Sequence, residues 1–290
     1  MGAARNRQFP DITAPSALFS KQPVKTVLIT GATDGIGLET ARQLARRGWN
    51  VLVHGRNQQK ASRFATAVAH ETATATAVWG DLSDMAQVAQ LSRQVAAQAP
   101  MLDVLINNAG VYERRRRLTV DGLEATLAIN HFAPFLLTHC LLPQLAEAPA
   151  GRVVNVSSVA HQSGRLDLED LTFAAGYDPY AAYAASKLAN VLFTVELAKR
   201  LVGTRISANA LHPGVIGTKL LHAAFDVQGA SVESGARTSV YLATAEKVSG
   251  ISGKYFVDCR EAETSRLASD PALAAALWEA TERSLSKFME

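Results

Sequence analysis

The chain has only two cysteines, Cys140 and Cys259, among 290 residues. That is too few for a disulfide framework, so both are expected as free, packed thiols in a reducing compartment. Aromatic residues are scarce at 7%, and the formal net charge is only +3. So small a charge gives no electrostatic case for nucleic acid as a partner. No uninterrupted apolar run reaches the roughly 18–20 residues that a membrane span needs. Near the N-terminus Arg5 and Arg7 are followed by Pro10, Asp11 and Pro15 rather than by the apolar core of a signal peptide. Residues 1–23 therefore read as a flexible extension. What remains is 48% hydrophobic and 19% charged, enough to bury a large core in one α/β domain or two small ones.

Strand-like and helix-like patterns alternate from Val24 onward. Thr26–Ile29 is a short β-prone run feeding into Thr30-Gly31-Ala32-Thr33-Asp34-Gly35-Ile36-Gly37, after which a helical pattern runs to Gly48. Strand, glycine-rich turn and helix is the arrangement that cradles a pyrophosphate. Gly31 would make the turn, Gly35 would let backbone approach the phosphates, and Gly37 would let helix and sheet pack. The next strand, Asn50–His54, ends in Gly55-Arg56-Asn57. A carboxylate there would bond a ribose hydroxyl and repel a 2′-phosphate, whereas a guanidinium grips the phosphate as a fork. Arg56 therefore points to NADP over NAD. Ala75–Trp79 ends at Gly80-Asp81-Leu82, where a carboxylate could reach an adenine amino group. Leu102–Asn107 is almost wholly apolar, implying burial on both faces of a parallel sheet, and Asn108-Ala109-Gly110 follows it.

From Val120 to Leu145 the pattern is helical, with Pro134 expected to end or kink it. Asn130, mid-helix, suggests a local bend with a freed carbonyl. Arg114–Arg117 cannot share one face of an element and reads as a solvated loop, with an entrance for anionic substrates as the lesser reading. Arg152–Ser158 is a strand carrying two hydroxyls, Ser157 and Ser158, where an open α/β sheet places its ligand. Tyr183 and Lys187 then lie one turn apart on one helix face. An ammonium beside a phenol is expected to lower the phenol's pKa toward the range useful for acid–base chemistry. The strand Arg205–Leu211 leads into Pro213-Gly214-Val215-Ile216-Gly217-Thr218, and residues 219–235 form a flap whose Leu220, Leu221 and Phe225 suggest an apolar pocket. A helix from Val232 to Ala245, a strand Lys254–Val257 and a helix Ala272–Phe288 complete the pattern.

The glycine-rich turn, Asp81, Asn107–Gly110, Ser158, Tyr183-x-x-x-Lys187 and Pro213–Thr218, standing in this order, resemble the short-chain dehydrogenase/reductase family from about Val24 to the C-terminus. Phrases such as Asn130-His131-Phe132, Val154–His161 and Ser186-Lys187-Leu188-Ala189-Asn190 resemble its retinol-dehydrogenase-like branch. The resemblance implies one Rossmann-like, doubly wound parallel sheet of about seven strands with helices on both faces, over residues 24–290. It implies that Tyr183 exchanges a proton with the substrate oxygen and that Lys187 tunes it and holds the nicotinamide ribose. Ser158, with Ser157 as rival, would bond the carbonyl, and Asn130 would bind a relay water. Cofactor contacts are expected from Gly31, Thr33, Asp34, Gly35, Ile36, Gly37, Arg56, Asn57, Asp81, Leu82, Asn108, Ala109, Gly110, Tyr183, Lys187, Pro213, Gly214, Ile216 and Thr218; no metal site is assigned. The activity implied is NADP(H)-dependent interconversion of a carbonyl and an alcohol on a hydrophobic small molecule. Reduction of a carbon–carbon double bond and a catalytically silent NADP-sensing scaffold are the alternatives. Members of this branch often carry an N-terminal membrane anchor, whereas residues 1–23 are short and polar, so the expectation is a soluble cytoplasmic enzyme. The resemblance is compatible with a homodimer or homotetramer.

Overall fold

The computed structural model describes residues 24–72, 74–225 and 227–289. The expected extension, residues 1–23, lies outside them. Strands β1 (Thr26–Ile29), β2 (Asn50–Gly55), β3 (Ala75–Trp79), β4 (Val104–Asn107), β5 (Arg152–Val156), β6 (Ser207–His212) and β7 (Tyr255–Val257) form one parallel sheet. A two-residue strand, β8 (Arg260–Glu261), adds an antiparallel edge. The order is β3-β2-β1-β4-β5-β6-β7-β8, so the winding reverses between β1 and β4. Ligands of open α/β sheets bind at the carboxyl ends of the strands, beside such a reversal.

Side-chain alternation explains why both faces must be covered. In β1, Leu28 joins one core cluster while Val27 and Ile29 join another; Leu105 of β4 sides with Leu28, and Val104 and Ile106 with Val27. Successive strand residues point to opposite faces, so apolar runs such as these are buried twice over. The Leu28 side is sealed by α3 (Met85–Gln98), α5 (Ala133–Glu147) and α6 (Pro179–Arg200), with α9 (Pro271–Leu285) packed on α6. The Val27 side is sealed by α1 (Gly35–Ala45), α2 (Gln58–Thr72) and α8 (Val232–Thr244). The remaining helices are α4 (Ala125–Leu127), which runs into α5, and α7 (Lys219–Ala224) over the strand ends.

The stretch expected as one helix from Val120 differs in detail. Residues before Ala125 form a tight turn, with Leu118 bridged to Glu124, and the Glu124 carboxylate caps the Leu127 N–H at 2.9 Å. Pro134 neither ends nor breaks the helix. Ala128–Phe132 winds as a π turn, and α5 continues from it to Glu147. Pro134 has no N–H to give the carbonyl four residues back, which is that of Asn130. The freed carbonyl expected at Asn130 therefore exists, and the Asn190 side chain fills it at 2.6 Å. The span Ala125–Glu147 is also long and apolar enough, by length and composition, to cross a membrane. This qualifies the expectation that no such segment exists. Here 83% of its apolar window is buried in the protein, as a core helix lying against the sheet.

Candidate active site

A cavity of about 1050 Å³ opens at the carboxyl ends of the strands. One half is backbone. The turn after β1 places Gly31 at φ 65° and Gly35 at φ 51°, conformations that favour glycine. A Cβ on Gly37 would lie 2.4 Å from Asn108 Nδ2 and from the Gly31 carbonyl oxygen, so only glycine allows this approach of helix, turn and β4. Asn108 fastens that junction, its Nδ2 donating to the Thr30 carbonyl at 2.8 Å. It does so without the left-handed backbone open to an Asn in a turn; among the described non-glycine residues only Phe173, Asp258 and Cys259 have positive φ. Asp34 caps α1 by accepting from the Gly35 N–H at 2.9 Å and is ion-paired with Lys219 at the start of α7. That pair holds its carboxyl below the ordinary range. Asp81 lines the cavity, and one carboxylate oxygen accepts from the Ser83 N–H and hydroxyl at 2.9 and 2.8 Å. Arg56, just after β2, and Lys60, in the first turn of α2, line the same cavity.

The other half carries reactive side chains. Asp178 caps α6 and Pro179 occupies its first turn, which sets the phase that brings Tyr183 and Lys187 to the cavity. Lys187 Nζ lies 5.6 Å from the Tyr183 ring centre and donates to the Val156 carbonyl at 3.0 Å. The two serines divide their tasks. The buried Ser157 hydroxyl donates to the Lys187 carbonyl at 2.7 Å, tying α6 to β5. Ser158 is half-buried, accepts from the Ala160 N–H at 3.2 Å, and acts on the Tyr183 hydroxyl. Asn130 Nδ2 donates to the Val111 carbonyl at 3.0 Å and to Ser186 Oγ at 2.9 Å, while its Oδ1 accepts from the Val111 N–H at 2.8 Å. Its side chain is thus a bracket holding the loop after β4 to α6. A Cβ on Gly110 would lie 3.4 Å from Lys187 Nζ and 3.5 Å from Asn130 Oδ1, in ordinary contact with both.

Over this floor lies α7 with the residues after it. Phe225 sits 5.9 Å from Tyr112 and 6.1 Å from Tyr180, and Tyr112 is 5.6 Å from Tyr183, ring centre to ring centre. With Leu220 these rings make an apolar vestibule. Arg114 Nε donates to the Ala223 carbonyl at 2.8 Å, closing the C-terminal end of α7. The arginine run is exposed, as a solvated loop should be, yet it is tethered: Arg116 Nε donates to the Thr172 carbonyl, and Arg117 pairs with Glu113.

Among families of known proteins, the short chain dehydrogenase model matches residues 25–228. The chain belongs to the short-chain dehydrogenase family. Within that family it is retinol-dehydrogenase-like. It is 42% identical to retinol dehydrogenase 12 of Bos taurus over 265 residues, covering 88% of this chain and 84% of that protein. With human retinol dehydrogenase 13 the identity is 38%, over 90% and 84% of the two chains. A solved structure of an uncharacterised Mycobacterium paratuberculosis protein matches with a TM-score of 0.76 at 37% identity, over 90% of this chain and 93% of that one. A Beutenbergia cavernae structure described as an NAD(P)-dependent gluconate 5-dehydrogenase, with NADP bound at low occupancy, gives 0.67 at 29%, over 81% and 94%.

The electrostatics of this short-chain dehydrogenase correct one expectation. Tyr183 is 6% exposed, and burial pushes its hydroxyl up to about 12, against the opposing influence of Ser158. Burial likewise lowers Lys187 to about 8. In the protein by itself desolvation outweighs the Ser158 hydrogen bond, so the phenol stays protonated. The cofactor positions expected from sequence all line the cavity, and so do the reactive ones except Asn130, which stands behind Gly110 and Lys187. Sequence reasoning passed over His54. It ends β2 at 2% exposure, accepts from the Gly31 N–H at Nδ1 (3.1 Å), and bonds the Gly80 carbonyl through Nε2 (3.0 Å). A polar residue closing an otherwise apolar strand was the only signal. Lys60, Lys219, Tyr112 and Tyr180 were also missed, because nothing local in the sequence aims them at a cavity. Among the described residues, no group of three His, Cys, Asp or Glu side chains is placed to hold a metal ion, and both cysteines are free.

Proposed function

We propose that this chain is an NADP(H)-dependent oxidoreductase that interconverts an alcohol and a carbonyl on an apolar small molecule. The observation that carries the reading is that Ser158, Tyr183 and Lys187 line the same cavity as the glycine-rich turn. Gly31, Gly35, Ile36 and Gly37 line the cavity at the N-terminus of α1, where the positive end of a helix dipole fits a dinucleotide's phosphates. When bound, the nicotinamide supplies or accepts the hydride. Tyr183, protonated at neutral pH, hands its proton to the oxygen of a carbonyl being reduced. Ser158 donates a hydrogen bond to that oxygen and so stabilises its developing charge. Lys187 keeps a cation near the phenol as the proton leaves. Asn130 and Ser157 fix the loop after β4 and α6, so that these groups meet at set distances. Arg56 and Lys60, with no carboxylate in Gly55–Asn57, support a 2′-phosphate, hence NADP. The Tyr112, Tyr180 and Phe225 rings support an apolar substrate, and the names of the relatives make retinol one candidate among such alcohols.

The test is NADPH oxidation over decanal, retinal, acetophenone and an enone, with Tyr183→Phe as blank. The expected outcome is turnover of an aldehyde or ketone. Loss of the proton donor should cost about 10²–10⁴-fold, with NADPH affinity changed far less than turnover, because the ring stays in place and only the transferable proton is removed. Turnover at the native rate by Tyr183→Phe would end the reading.

A further inference from the structure

We propose that His161 and His212 clamp a single peptide group, the one joining Ser158 to Val159, and thereby act as positioning residues for Ser158. The inference rests on the reading above, in which Ser158 bonds the substrate oxygen. The Ser158 carbonyl lies 2.7 Å from His161 Nδ1 and also accepts from the His161 backbone N–H at 3.1 Å. On the other side of the same peptide plane, the Val159 N–H donates to His212 Nδ1 at 3.3 Å.

The chemistry of the partners fixes both tautomers. A carbonyl only accepts, so His161 carries its proton on Nδ1, and its bare Nε2 accepts from the Ser265 N–H at 3.3 Å. An amide only donates, so His212 Nδ1 is bare and its proton sits on Nε2. Two neutral rings of opposite tautomer thus hold opposite ends of one peptide. Each is fixed from a different part of the chain. His161 is fully buried against the Tyr255 ring, 4.8 Å between centres, and His212 closes β6. Burial lowers the pKa of both, which keeps them neutral.

This peptide needs holding, because it lies at the cavity wall and the Val159 side chain beside it is 46% exposed. Its orientation sets ψ of Ser158, 159°, and so carries the next amide, the Ala160 N–H, onto the Ser158 hydroxyl at 3.2 Å. The Ala160 N–H occupies one lone pair of that hydroxyl, leaving its proton to point into the cavity. Swinging the peptide would turn a prepared donor away from the reacting oxygen.

Side chains of different reach test this. Asparagine places an amide near the position of Nδ1, and glutamine near that of Nε2. Each is substituted for His161 and for His212, in the native chain and on Ser158→Ala, and kcat and KM are measured with NADPH and decanal. The asparagine variants should keep kcat within about threefold, whereas the glutamine variants should lose about tenfold or more, a displacement of about 1 Å being worth up to about 10². KM for NADPH should move less than about twofold, and the glutamine loss should vanish on Ser158→Ala, the mark of two residues acting through one group. At His161 the asparagine loses the Ser265 bond and glutamine can keep it, so a merely structural role would rank them the other way. The clamp is overturned by that reversed ranking, or by equal glutamine losses on both backgrounds. If the glutamine variants do not fold, a tenfold loss in either folded asparagine variant overturns it just as well. If Ser158→Ala itself leaves kcat intact, the serine's assigned role fails first, and that result is distinguishable from failure of the clamp alone.

Discussion

Asn190 Nδ2 lies 2.6 Å from the carbonyl oxygen of Asn130, a bond between a side chain of α6 and the π turn that leads into α5. It completes a polar path through the interior. Asn107 Nδ2 donates to Asn155 Oδ1, Asn155 Nδ2 to Thr194 Oγ1, and Thr194 Oγ1 to the Asn190 carbonyl, at 2.9, 2.9 and 2.7 Å. Asn190→Leu would fit the space yet leave the Asn130 carbonyl buried without its donor. The expected cost is about 1–3 kcal/mol, read from urea unfolding. Turnover should fall as well, because the same turn carries the Asn130 bracket; unchanged stability would show that the π turn does not need its donor.

Cofactor choice is predicted to sit at the end of β2. Arg56→Asp removes a phosphate partner and adds a repelling charge. Since hydrogen bonds to charged groups contribute about 1.5–3 kcal/mol, NADPH affinity should drop by about 10–100-fold. NADH affinity should change little or improve. Parallel titrations with the two cofactors decide this, and an unaltered ratio would remove Arg56 from phosphate recognition.

Acid should destabilise the fold in a defined window. Burial lowers His54 to about 4 and His131 to about 3, from an ordinary 6.5. Because the folded values lie below the unfolded ones, the unfolded chain binds more protons between them. Stability is therefore complete above about pH 6.5 and is lost as pH falls toward 4, each histidine adding a slope of about 1.4 kcal/mol per pH unit. Urea unfolding at pH 7 and pH 4.5 should show the loss. His131→Leu should flatten it, since that ring lies among Phe132, Phe135 and Phe193 with its Nε2 bonded to Thr281. An identical pH dependence in that variant would place the acid sensitivity elsewhere.

Arg114 is predicted to govern α7 rather than to attract anions. Arg114→Ala removes the cap on the Ala223 carbonyl, a bond contributing about 1 kcal/mol, so KM for an apolar aldehyde should rise about fivefold while kcat changes less. Limited proteolysis should cut faster within residues 219–235. A neutral substrate indifferent to the change, with unchanged proteolysis, would return the arginine run to a plain solvated loop.

Much of this was legible before any coordinates. The alternation of β-prone and helical patterns gave the parallel sheet, because a strand buried on both faces must be apolar throughout, as Val104–Ile106 is. Glycines at Gly31, Gly35 and Gly37 announced the turn because no other residue tolerates its backbone and its crowding. The bend at Asn130 was legible because Asn is a poor helix former in mid-helix, although the structure shows that Pro134 is what frees its carbonyl. What filled that carbonyl was not, since Asn190 lies 60 positions away. Nor was the protonation of Tyr183, where the neighbouring Lys187 in the sequence argued for a lowered value and burial produced the opposite.

The sequence by itself determined the succession of apolar runs along the chain, the glycine-rich turn and the identity of the groups that could do chemistry, since backbone conformation and side-chain type are local properties. Tertiary structure alone decided which groups meet. His54 reaches Gly31 and Gly80, Lys219 reaches Asp34, and His212 reaches the Val159 N–H from 53 residues away, because the folding of the sheet, not spacing along the chain, sets distances and exposure to water. Exposure in turn sets protonation, so the tyrosine whose pKa the sequence argued to be lowered is held protonated by burial in the folded protein.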